Sequence, residues 1–79
     1  MSGAKRLLEP SLVRVRAGRD GEPLTVASRQ VKAVRESWLV EDRWWEQRPL
    51  RRRYWEVLDE RGRVNVLYRD LITGKWLRH

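Results

Sequence analysis

The sequence predicts an all-β fold: a small antiparallel meander of about six strands, curled into an SH3-like or OB-like partial barrel. Three observations predict it. Apolar residues alternate with polar ones at period two in several short runs, the spacing of a half-buried strand. Glycine-bearing turn signals separate those runs at short intervals. The candidate strands are rich in valine, tryptophan and tyrosine, which suit a pleated, packed surface.

Residues 1 to 5 carry no pattern and are expected to be a disordered tail, with a single all-β domain over 6–79. Leu7 and Leu8 are apolar, and Pro10 stops any helix there. Leu12 to Ala17 reads as the first strand, with Val13, Val15 and Ala17 on one face and Arg14 and Arg16 on the other. Gly18-Arg19-Asp20-Gly21 forms a turn whose two glycines can take positive φ. Pro23 opens a second strand over Leu24 to Ser28, and a proline is tolerated there because its missing N–H can point away from the ladder. Arg29 and Gln30 make a short connection.

The third strand runs from Val31 to Val40, with Val34, Trp38 and Val40 expected on one face. A helix is the rival, because Val31, Val34 and Trp38 also fit helical spacing. Strand is preferred because no N-cap precedes Val31. Glu41 to Pro49 is an irregular connection in which adjacent Trp44 and Trp45 cannot both face one core. Arg51 to Asp59 is the fourth strand, with Trp55 and Val57 on one face and Tyr54 and Leu58 on the other. Glu60-Arg61-Gly62 turns the chain into a fifth strand, Arg63 to Asp70. There Val64, Val66 and Tyr68 oppose Asn65 and Leu67. The turn DLITGK, capped by the Asp70 carboxylate, leads to a last strand from Trp76 to His79.

A chain of 79 residues is one domain with a thin margin of stability. There is no cysteine and one histidine, His79, so a Cys/His zinc site lacks its ligands and no cofactor is expected. Five Trp and two Tyr replace disulfide or metal as the source of compactness. No apolar run suits a signal peptide or a membrane span. The expectation is a cytoplasmic protein with no membrane partner.

Catalysis is not expected. A Ser-His-Asp or Cys-His arrangement has only His79 to draw on. The carboxylate pairs Glu41-Asp42 and Asp59-Glu60 lie beside arginines in turn-like stretches, as solvated residues do. No phosphate-binding glycine loop is present.

What remains is charge. The net charge is +7, and 15 of the 18 basic residues are arginine. Such a balance fits an anionic partner, nucleic acid first, although codon or growth-temperature bias produces arginine as well. The candidate nucleic-acid residues are Arg43, Trp44, Trp45, Arg48, Arg51, Arg52, Arg53 and Tyr54. Arginine forks bind phosphate bidentately, and interleaved aromatics stack bases, as in single-strand binders. On a strand, Arg51 and Arg53 share the face of Trp55, and Arg52 shares that of Tyr54. Arg14 and Arg16 extend this patch if the first strand is its neighbour. Against this, Glu41, Asp42, Glu46 and Glu56 can pair with the same arginines, and Trp38, Trp55 and Trp76 are expected in the core. Arg69 is expected to pair with an acidic neighbour. Exposed Trp, Tyr and Arg also suit a protein-docking surface, and an edge strand suits a homodimer.

Gly21-Glu22-Pro23, Trp38, Trp44-Trp45, Arg53-Tyr54, Leu67-Tyr68-Arg69-Asp70 and Gly74-Lys75-Trp76 together resemble a small bacterial family of unknown function. Its members stand alone or lie at the C-terminus of ImuB-like proteins, relatives of Y-family polymerases that serve a translesion mutasome. The resemblance covers roughly residues 9 to 77. Relatives often carry Trp-Arg-Gly-Arg after the Gly-x-Pro, where this chain has Leu24 to Arg29. The resemblance implies a DNA-repair setting, with a protein partner of a repair complex as the alternative to nucleic acid. It assigns no catalytic or binding residue.

Overall fold

The computed structural model describes residues 9–42 and 49–79. The tail expected at residues 1 to 5 lies outside the described residues, as does most of the connection between the third and fourth predicted strands. Within the described residues the chain is all-β. The strands are β1 (Ser11–Leu12), β2 (Val15–Ala17), β3 (Pro23–Val26), β4 (Arg29–Asp42), β5 (Leu50–Asp59), β6 (Val64–Asp70) and β7 (Trp76–Arg78). They form one antiparallel sheet in the order β1-β7-β6-β5-β4-β3-β2.

The first predicted strand is two. Ser11 and Leu12 pair with β7, whereas Val15 to Ala17 pair with β3. Between them the Val13 N–H donates to the Trp76 carbonyl at 3.1 Å, and the Arg14 carbonyl accepts from the Ala27 N–H at 2.8 Å. One stretch of chain thus serves both ends of the sheet order, which curls the sheet into a partial barrel. This handover, invisible to local pattern, raises the strand count from six to seven.

The β3–β4 turn also differs from expectation. It is Ala27-Ser28, with Val26 opposite Arg29, and Arg29 and Gln30 already belong to β4. Both turn residues have positive φ, 52° and 70°. That sign pattern matches the right-handed twist of the flanking strands, and here it is adopted without glycine. At the β2–β3 turn only Gly21 takes positive φ, at 85°. At Gly18 a Cβ would fall 2.5 Å from the Glu22 carboxylate, the far end of a flexible side chain that can give way.

The helical reading of Val31 to Val40 falls, because β4 is a strand of 14 residues. Its pairing with β5 shifts register twice, between Val31 and Ala33 and between Val34 and Glu36. Each shift inserts one residue and moves the residues beyond it to the other face. Val34 therefore sits opposite Val57 while Trp38 sits opposite Tyr54. Val34 and Trp38, expected on one face, lie on opposite faces.

The core lies on the face that carries Trp55. Val26, Val57 and Leu67 are its buried centre, with Val13, Val15, Val31, Trp55 and Trp76 packed around them. Trp55 and Trp76 are thus core residues, as expected, and Trp38 is not. It is 37% exposed on the other face.

Asp59 ties the β5–β6 hairpin. It is 5% exposed. Its Oδ1 accepts from the Arg61 and Arg63 N–H groups, each at 2.9 Å, and its Oδ2 accepts from Asn65 Nδ2 at 3.3 Å. Gly62, at φ 80°, makes this turn possible. The Arg63 N–H foremost, then Arg61, Asn65 and the Arg29 charge, hold the Asp59 carboxyl below its ordinary value against the opposing effect of burial. A carboxyl with a lowered folded-state pKa stabilises above its unfolded value, near pH ~4, and that contribution is lost as pH falls through the folded value. Asp59→Asn should therefore lower the denaturation midpoint at pH 7, with the gap to the parent chain closing towards pH 2. A gap that is constant with pH would count against the carboxylate.

Candidate functional site

Of the eight predicted site residues, Arg43, Trp44, Trp45 and Arg48 lie outside the described residues. The other four are consecutive on β5. Strand alternation divides them between the faces, as the sequence predicts. Arg51 and Arg53 go with Trp55, while Arg52 and Tyr54 face the other way.

Arg51 is engaged. Its Nε lies 2.8 Å from Glu41 Oε2, and Glu41 is its direct partner across β4. The pairing expected between Glu41 and the arginine run is present. Both side chains are about half exposed, so the bridge is worth little in stability.

Arg52 belongs to an aromatic cluster. Its guanidinium carbon sits 4.5 Å from the Tyr68 ring centroid, and Nη1 lies 3.4 Å from Tyr54 Oη. Its Nε is buried without a hydrogen-bond partner among the described residues. Tyr54 stacks on Trp38 with centroids 5.4 Å apart and planes 4° from parallel. Tyr68 lies 4.9 Å from Tyr54, and His79 lies beside both rings. Tyr54 is thus held on both sides by protein rings, which makes it a poor free platform for a base. Trp38 is the exposed end of that stack.

Arg53 occupies a different place. It lines a pocket of about 320 Å³ with Asp20, Gly21, Ser37, Trp55, Arg69 and Leu71. The register builds this pocket. Ser37 on β4 is opposite Trp55, and Arg53 is directly opposite Arg69 on β6. The β2–β3 turn supplies Asp20 and Gly21, and the loop after β6 supplies Leu71. Ser37 Oγ donates to the Tyr54 carbonyl at 2.9 Å, which leaves its oxygen as an acceptor. Trp55 Nε1 is buried and has no acceptor among the described residues.

Arg69, expected to find an acid, has none among the described residues. Its Nε donates to the Gly74 carbonyl at 3.3 Å, and its guanidinium lies over Trp76 at 5.7 Å. Asp70, its acidic neighbour, is occupied as the expected turn cap, accepting from the Ile72 and Thr73 N–H groups at 2.8 and 3.1 Å. Arg69, Ser37 and Asp20 were missed as site residues. A signal for Arg69 existed. The predicted turn Glu60-Arg61-Gly62 sets Asp59 against Arg63, and counting outwards from that pair places Arg69 against Arg53, the register the sheet adopts. Arg14 and Arg16 do not extend the patch through strand pairing, because β3 and β4 separate β2 from β5 in the sheet.

Among the described residues, no group of three His, Cys, Asp or Glu side chains is placed to hold a metal ion. Nor is any helix among the described residues long and apolar enough to cross a membrane. Comparison with protein-family models, curated proteins and solved structures returned no significant match.

Proposed function

We propose that this domain is a non-enzymatic module that binds single-stranded nucleic acid without strong sequence preference. The observation that carries the reading is the pair Arg53 and Arg69, directly opposed on β5 and β6 at a pocket that Trp55 also lines. Like charges face to face on a sheet destabilise it unless an anion is shared between them. The net charge of +7 draws a polyanion to such a point. A DNA-repair or translesion setting is supported by the resemblance to the domain found on ImuB-like proteins.

The reading is tested by titrating fluorescent single-stranded and duplex oligonucleotides across a salt series. Binding to single strands should weaken with salt at a log-log slope of about −0.7 per phosphate contact, and Arg53→Ala should make the slope shallower by about 0.7. Duplex should bind less well. Absence of binding at low salt would sink the reading.

A second reading, docking of a protein partner or of another copy, is favoured by β4. On its outer side β3 covers only Arg29 and Gln30 among the described residues. The strand continues to Asp42 with Val34, Trp38 and Leu39 exposed. An uncovered edge of this kind invites strand addition. A solution mass of twice the chain, lost on replacing an edge residue by proline, would favour it.

A further inference from the structure

We propose that the pocket between Arg53 and Arg69 receives one terminal nucleotide bearing a phosphomonoester, so that the domain reads a phosphorylated strand end. This deepens the single-strand reading and rests on it. Four features carry the inference.

The first is size. A pocket of about 320 Å³ lies at the lower end of small-molecule sites, about 300–1,000 Å³, which suits one nucleotide rather than a run of bases. The second is charge. Arg53 and Arg69 hold directly opposed positions on β5 and β6 and both line the pocket, and among the described residues neither forms an ion pair. A phosphomonoester carries about −1.5 to −2 near neutral pH, whereas an internal phosphodiester carries a single charge. Two fixed cations match the terminal group better. The third is an aromatic wall. Trp55 lines the pocket, and an aromatic face can stack a nucleotide base.

The fourth feature separates a nucleotide from a bare anion. Asp20 lines the same pocket and would repel inorganic phosphate. Ser37 has committed its proton to Tyr54 and offers only lone pairs. Together they call for a ligand with hydrogen-bond donors beside its phosphate. A nucleotide has them in its sugar hydroxyls and base amines.

The test uses the whole chain and one oligonucleotide sequence with 5′-phosphate, 3′-phosphate or hydroxyl ends, followed by anisotropy at fixed ionic strength. Adenosine monophosphate and inorganic phosphate are the competitors. A phosphorylated end should tighten binding about tenfold or more, the worth of one charge-assisted hydrogen bond. The preferred arm tells which end is read. That advantage should shrink below pH ~6, where the second phosphate ionisation is lost. Arg69→Ala should abolish it, Arg69→Lys should retain part of it, and Arg63→Ala, in the β5–β6 turn, should leave it intact. Thermal unfolding of each variant confirms that it is folded. If the end phosphate makes no difference while strands still bind, the pocket inference falls and the strand-binding reading stands. If adenosine monophosphate binds in an Arg69-dependent way but no strand does, the pocket inference survives for free nucleotides and the strand-binding reading falls. Inorganic phosphate competing as well as the nucleotide, or an equal loss in Arg63→Ala, would overturn the site.

Discussion

Leu67→Ala is expected to destabilise the domain by about 2–5 kcal/mol, the range for truncating a fully buried leucine. Leu67 is 0% exposed. It stands opposite Trp55 in the middle of β6 and packs with Val26 and Val57. The alanine removes these contacts and leaves a cavity that a sheet pinned on both sides cannot close. A domain of 79 residues has a small core, so the loss is a large share of a total that rarely exceeds about 15 kcal/mol. Urea unfolding followed by tryptophan fluorescence should show a lower midpoint with an unchanged slope. The control is Val64→Ala on the same strand, where Val64 is 46% exposed and the cost should stay within about 0.5 kcal/mol. A similar cost for the two would mean that the core is not centred on β6.

The parts of this fold that are legible in the sequence are the local ones. The alternation of β5, the Gly62 turn and the Asp70 cap depend on residues within a few positions of each other, and all three stand as predicted. Two register shifts in β4 were not legible. A bulge costs only one unpaired residue, and nothing about Lys32 or Arg35 as residue types marks them as the extra ones. The Ala27-Ser28 turn lacks the glycine or asparagine that usually announces positive φ. The division of the first strand needed knowledge of which partners lie at the two ends of the sheet.

The site obeyed the same rule. The run Arg51 to Tyr54 was legible as chemistry, and its alternation as geometry. What the run touches was not. One arginine bridges to Glu41, one lies on a tyrosine, and one meets Arg69 from 16 positions further along the chain. A basic run on a strand is therefore not one patch. It is two half-patches, and only the neighbouring strands say what each half does.

Tyr68 is the counterpart of Leu67 on the opposite face, and its removal is the other large expected effect. The side chain is 1% exposed, beneath Arg52 and between Tyr54 and His79. Tyr68→Ala should cost about 3–5 kcal/mol, as for other buried aromatics. It takes away the ring on which the Arg52 guanidinium rests, beside an Nε that is buried without a hydrogen-bond partner among the described residues. Tyr68→Phe keeps the ring and should keep most of the stability at neutral pH. The two variants part further in alkali. Burial raises the Tyr68 pKa, with the Arg52 charge pulling the other way. The unfolded phenol ionises near ~10 while the folded one resists. Stability from this group is thus full below pH ~10 and is lost as pH rises through the higher folded value. Urea midpoints from pH 8 to 11 should fall more steeply for the parent chain than for Tyr68→Phe. Equal slopes would show that the hydroxyl reaches solvent, and that the second face is a surface layer rather than a second core.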